Sequence, residues 1–216
     1  VMEKGMSALL NEKINLTGCG RTDTGVHAVE FFAHFDSATN FFNPKPTVDW
    51  VYKFNSVLPN AIVIKEILRV KDNAHARFDA FARTYKYYVV QKRNPFLTDR
   101  AYFTHHPLNI SAMNKAAKVL LEYNDFSCFS KSRTQVKTNS CIVTHAEWKK
   151  EDDVLVFSIT ANRFLRNMVR AIVGTMLDIG KEKITIADFR KIIEGKSRSK
   201  AGMSVDAHGL YLTEVK

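Results

Sequence analysis

The chain has 216 residues, 45% hydrophobic and 25% charged, which is enough to bury one sizeable core or two compact halves and too apolar for a disordered segment. Thirty-two Lys and Arg against 22 Asp and Glu leave a net charge of +10. That balance favours a polyanionic partner through counterion release, although the excess is spread along the chain and a merely basic protein would carry the same sum. Cys19, Cys128 and Cys141 are odd in number, far apart and without a CxxC pair, and no apolar stretch approaches a bilayer span, so a reduced, cytoplasmic setting with no membrane is expected.

The chain opens with Val1 already inside a helical pattern of Met2, Met6, Leu9 and Leu10 and with no cap before it, as if a natural beginning were missing. The helix ends near Asn11. Ile14 and Leu16 then alternate with polar residues as a short strand leading to Gly18, Gly20 and Gly25. Val29, Phe31, Ala33 and Phe35 alternate with Glu30, His34 and Asp36, so the glycine loop joins strand to strand.

After a turn at Pro44 and Pro46, Val48, Val51, Tyr52 and Val57 predict a helix, and 62–70 a strand. Residues 81–91 predict a long strand with Arg83, Tyr85, Tyr87 and Val89 on one face. A long connection through Asn94, Pro95, His105, His106 and Pro107 precedes a helix carrying Met113, Ala117, Leu120 and Leu121. Residues 141–149 and 154–161 predict a hairpin around Glu151, Asp152 and Asp153. A helix is expected from just after Asn162 to Gly180, a shorter one capped near Thr185 and carrying Phe189, Ile192 and Ile193, and a closing strand over 210–215. These elements give an α+β class, with helices covering one face of antiparallel sheet.

The glycine loop fails both nucleotide-binding tests. A dinucleotide fingerprint needs a third glycine at fixed spacing and a following helix, whereas position 23 is Asp and a strand follows; a Walker loop needs Lys where Val26 stands. The glycines can instead bend a polar loop so that Arg21, Asp23 and His27 reach a sheet edge beside a ligand. A plain structural turn, with Asp23 capping an amide or pairing with Arg21, is the plainer account of the loop taken by itself.

Five further segments join this loop in pointing to one family. The segment 18–28, GCGRTDTGVHA, resembles the signature loop of the tRNA pseudouridine synthase A (TruA) family at essentially every position. The resemblance continues through FNSVLPNAI at 54–62, HARFDA at 75–80, RTYKYYV at 83–89, NRFLRNMVRAIVG at 162–174 and HGLYL at 208–212. It implies a pseudouridine synthase fold of two ferredoxin-like or RRM-like subdomains, 1–82 and 83–216, with antiparallel sheets flanked by helices and a central cleft. It also implies isomerisation of uridine to pseudouridine at positions 38, 39 and 40 in the anticodon arm of tRNA, by a homodimer, with no cofactor and no metal.

On this resemblance Asp23 is the catalytic carboxylate. A desolvated carboxylate needs a cation beside it to stay ionised, and Arg170 matches the family's MVR arginine. If the helix begins after Asn162, then Arg163, Arg166 and Arg170 share one face, and for the first two a solvated basic stripe is the plainer account. Tyr85 matches the active-site tyrosine that stacks on the flipped base, while Tyr87 reads as core with its hydroxyl satisfied. Arg21, His27, Arg77, Phe78 and Arg83 are expected around the substrate, Arg21 holding the flipped nucleotide or a phosphate.

The histidines show no ligand spacing for a metal. Lys196, Arg198 and Lys200 read as a flexible basic loop, either phosphate-contacting or solvated. Two departures from the family stand out: the strand and basic loop that open its members are absent, and Val205, Asp206, Ala207 and His208 replace a small, proline-containing segment. Two rival readings remain, a non-catalytic RNA-binding protein and an enzyme acting on a free nucleotide, which would not need the charge excess.

Overall fold

The computed structural model describes residues 1–42, 48–131 and 138–216; the turn expected at Pro44 and Pro46 lies outside them. By its internal contacts the chain divides into two units, 1–20 with 32–79, and 21–31 with 80–216. This differs from a single boundary after residue 82, because most of the glycine loop leaves its sequence neighbours and pairs with the end of the chain.

In the first unit α1 (Met2–Leu10) stops at Asn11, whose φ of 53° is left-handed. The strand β1 (Thr17–Gly18) begins later than Ile14 and Leu16 suggested. The amides of those two residues are taken by side chains of α1, Ser7 Oγ at 2.9 Å and Glu3 Oε1 at 2.8 Å, instead of by a ladder. The alternating run after the loop is not one strand either. Its first residue, Val29, follows β2 (His27–Ala28) in the second unit and donates its amide to the Leu212 carbonyl at 2.8 Å, and Ala33–His34 forms β3, antiparallel to β1.

Helix α2 (Trp50–Val57) is capped by Asp49, which accepts from the Tyr52 amide at 3.0 Å. The expected strand over 62–70 is absent, and the chain there forms no regular element. Asn55 of α2 satisfies Ile64 alone, donating to its carbonyl at 2.8 Å and accepting from its amide at 2.7 Å. An amide side chain thus does the work of a neighbouring strand. Met6, Ile14 and Phe54 form the small core, with Phe41 and Trp50 packed on it.

The second unit is built on β4 (Arg83–Val90), followed by the unanticipated β5 (Tyr102–Phe103), then α3 (Ile110–Val119), β6 (Val143–Glu151), β7 (Val154–Ala161), α4 (Met168–Gly180), α5 (Ile186–Glu194) and β8 (Leu210–Val215). The sheet order is β2-β8-β4-β7-β6, with β5 beside the far end of β4. Pairing is antiparallel except for β2 with β8 and β4 with β5. The hairpin of β6 and β7 turns at Asp152, φ 52°, as its acidic turn predicted. Thr185 and Asp188 form the capping box of α5. The class is α+β, as expected.

The expected start of α4 has to be corrected. Residues 163–167 are not helical: Asn167 sits at φ 66° immediately before Met168, and Asn162 is tied to Ile142, accepting from its amide through Oδ1 at 2.8 Å. A left-handed residue cannot continue an α-helix. The helix proper is buried on nearly every side, within the core cluster that also holds Trp148, Phe157, Phe189 and Tyr87. Cys19, Cys128 and Cys141 are buried and outside any disulfide among the described residues, and burial pushes the thiol of Cys128 up to about 12 and that of Cys141 to about 11. No helix among the described residues is long and apolar enough to cross a membrane.

Candidate active site around Asp23

The loop that carries Asp23 turns tightly. The Val26 amide donates to the Asp23 carbonyl at 3.1 Å, and Gly25 adopts φ 85°, a conformation that a side chain would strain, with its α-carbon side against Ala207. From there the chain enters β2, where His27 pairs with Tyr211 and Ala28 with Leu212. Asp23 is therefore anchored on the C-terminal strand although nearly 190 residues separate them in sequence.

Arg170, in the first turn of α4, meets it. Its Nη1 donates to Asp23 Oδ2 at 3.0 Å, and its Nε donates to the Val205 carbonyl at 2.7 Å. The same Val205 returns its amide to the Arg170 carbonyl at 3.2 Å. The guanidinium is therefore aimed by a backbone acceptor on one side and the carboxylate on the other, a charge-assisted geometry with little freedom. A second cation lies on the other oxygen, with Arg166 Nε 3.8 Å from Asp23 Oδ1. The side chains are 26% exposed for Asp23, 21% for Arg170 and 59% for Arg166, so the carboxylate is sheltered yet reachable.

The segment between β7 and α4 gathers the other candidates. Tyr85, on β4, packs edge-on to Phe164 with centroids 5.1 Å apart. Arg83, two residues earlier on the same strand, donates through Nη1 to the Asn162 carbonyl at 3.1 Å and to that of Ala80 at 2.8 Å. Residues 162–170 thus contact three of the expected site residues, Asp23, Tyr85 and Arg83. His27 stacks on Tyr211 at 4.5 Å and lies 3.3 Å through Nε2 from the Asp99 carbonyl. Arg21 is exposed on the loop. Arg77 and Phe78 belong to the first unit, where the guanidinium lies 5.9 Å from the Phe78 ring and that ring packs on His75 at 4.1 Å.

Tyr87 is core, as read from the sequence. It is fully buried, and its hydroxyl donates to the Asp206 carbonyl at 2.8 Å. Burial, with Asp206 and Tyr102 adding to it, raises its phenol well above the ordinary range and keeps that donor protonated. Sequence reasoning missed two participants. Arg166 reads as part of a solvated stripe when helical periodicity is extended past Asn167, and Phe164 is absorbed into the same expected helix. Among the described residues no cluster of three or more His, Cys, Asp or Glu side chains is assembled.

The substituted segment before β8 also has a structural account. Val205 holds Arg170, Asp206 accepts from Tyr87, Ala207 lies against Gly25, and His208 Nε2 is 3.2 Å from the Ala101 carbonyl. At Val205, Asp206 and Ala207 these are backbone or small-side-chain contacts, which tolerate a change of residue type, whereas at His208 the imidazole itself makes the contact.

Known proteins similar to this chain agree with one another. A family model described as tRNA pseudouridine synthase matches residues 116–216. A tRNA pseudouridine synthase A of Parabacteroides distasonis is 48% identical over 99% of this chain and 84% of its own length. The Bacteroides fragilis protein of that name is 49% identical with the same coverage, and the Bacillus subtilis one is 36% identical over 99% of this chain and 87% of its own. With identity of this order over 99% of its length, the chain belongs to the tRNA pseudouridine synthase A family.

Proposed function

We propose that this protein isomerises uridine to pseudouridine in tRNA, with Asp23 as the carboxylate at the reacting nucleotide. The reaction breaks the N1 to C1′ bond, turns the base and forms a C5 to C1′ bond. C5 gives up its proton and N1 gains one, so the atoms balance without an oxidant or a second substrate. A carboxylate serves such a reaction by attacking the sugar or the base, or by stabilising positive charge on the sugar. The observation that supports this reading best is Asp23 at the turn of a constrained glycine loop, 3.0 Å from an arginine that a backbone carbonyl holds in place.

Arg170 orients and charge-balances the carboxylate, and Tyr85 offers an aromatic face to a base withdrawn from its stack. Arg83 braces the 162–167 segment. Arg21, exposed on the same loop as Asp23, holds a phosphate of the flipped nucleotide, with His27, Arg77 and Phe78 as further substrate contacts. The net charge of +10 suits the anticodon arm, where uridines 38, 39 and 40 are the targets, and the working form is a homodimer.

Nucleoside chromatography of tRNA incubated with the protein tests the reading. Wild type is expected to yield pseudouridine, and Asp23→Ala none while still retaining RNA on a filter. Undiminished product from Asp23→Ala would remove that residue from its role, and tRNA binding without product from wild type would favour the non-catalytic alternative. Transcripts keeping a single uridine at 38, 39 or 40 check the positions, and sedimentation checks the dimer.

A further inference from the structure

The basic stretch at 196–200 is expected from the sequence to be a solvated or phosphate-contacting loop, yet the guanidinium of Arg198 is turned onto its own chain. Its guanidinium is partly buried and turned inward, donating through Nη1 to the carbonyls of Gly202 at 3.1 Å and Ala201 at 3.4 Å, and through Nη2 to Ser204 Oγ at 2.8 Å. Ser204 Oγ also accepts from Asn167 Nδ2. One step along the chain, Val205 makes both backbone bonds to Arg170. Segment 201–205 is thus fastened to α4 at three points: Asn167 just before it, Arg170 in its first turn, and Thr175, whose Oγ1 accepts from the Gly202 amide at 2.9 Å.

The approach is close enough to require a glycine. A Cβ on Gly174 would lie 1.7 Å from the Met203 carbonyl oxygen. Sequence therefore permits the segment to lie on the helix, and Arg198 closes its root like a buckle. A planar guanidinium reaches three acceptors at once, which an ammonium on a flexible stem does not do in one geometry.

We infer that Arg198 is a positioning residue for the reaction: through Ser204 and Val205 it fixes the guanidinium of Arg170 beside Asp23. Arg198 touches no reacting atom; its effect passes along a covalent and hydrogen-bonded path of two residues. This rests on the isomerase reading for its catalytic consequence, but the structural consequence is measurable without turnover.

Two measurements on Arg198→Ala, Arg198→Lys and Ser204→Ala test it, with thermal melts to establish that each variant is folded. In nitrogen-15 arginine side-chain spectra, the Nε–H of Arg170 is expected to exchange slowly with solvent in wild type and at least tenfold faster in Arg198→Ala, because the Val205 acceptor is released. In steady-state assays kcat is expected to fall on the order of tenfold to a hundredfold, the cost of a misplaced catalytic group, with KM for tRNA and the salt dependence of binding unchanged. Arg198→Lys should keep little of the loss restored, added guanidinium should rescue part of Arg198→Ala, and the double variant with Ser204→Ala should be no worse than the poorer single one.

A rise in KM with a shallower salt slope at constant kcat would make Arg198 a phosphate contact and overturn the inference, as would unchanged exchange at Arg170. Failure of wild type to make pseudouridine would defeat the isomerase reading, while the exchange measurement would still decide whether Arg198 holds Arg170.

Discussion

Helix α4 and the five residues before it are one continuous pattern in the sequence and two different materials in the structure. From Met168 onward the chain is buried on nearly every side, and Arg170 is held by a backbone carbonyl as well as by Asp23. From Arg163 to Asn167 it is non-helical and, apart from Leu165, more exposed, and Arg166 approaches the same carboxylate at 3.8 Å, with no backbone acceptor holding its guanidinium among the described residues. Two arginines four residues apart, facing the same acid, therefore differ in kind. One is held by a backbone carbonyl as well as by the acid, and the other is an exposed cation held by the acid alone among the described contacts of its guanidinium.

If that contrast is right, the largest effect follows from Arg170→Ala, which should lower kcat by about a hundredfold to a thousandfold, the usual cost of removing a preorganised charge-stabilising donor. A loss of less than tenfold in single-turnover assays would put the two arginines on a level. Gly174→Ala comes next. Alanine alone favours a helix by about 1 kcal/mol over glycine, but the clash with the Met203 carbonyl should outweigh this and destabilise by about 1–3 kcal/mol, read as a lower Tm together with a reduced kcat as Val205 moves. The smallest effect is expected from Arg166→Ala. An exposed ion pair contributes about 0.2–1 kcal/mol, so activity should fall only a few-fold at low salt, with the difference from wild type narrowing at high salt as the pair is screened.

Much of the second unit was legible because its signals are local and agree with one another. The hairpin at Asp152, the capping box at Thr185 and Asp188, the strand over 210–215 and the buried role of Tyr87 each follow from a few adjacent residues. The first unit was less legible. Ile14, Leu16 and Ile64 carry strand-like alternation, yet their amides bind Ser7, Glu3 and Asn55. Period-two patterning reports that a chain is extended and half-buried, and it does not report whether a strand or a side chain satisfies the backbone. The run from Val29 to Phe35 misled for a related reason, since its two ends join different sheets.

What the sequence determined by itself was the chemistry on offer: a glycine-bent loop bearing Asp23, a cationic segment ending in Arg170, a strand presenting Tyr85, and the family to which such segments belong. What only the tertiary structure decided was the geometry of the encounter. The bond from Arg170 to Asp23 spans 147 residues, and the carbonyl that aims it comes from Val205, a position whose side chain says nothing about its role. Backbone acceptors are the same for every residue type, so no reading of side chains finds them. They become visible only when the chain has folded and the carbonyl is seen to meet its donor.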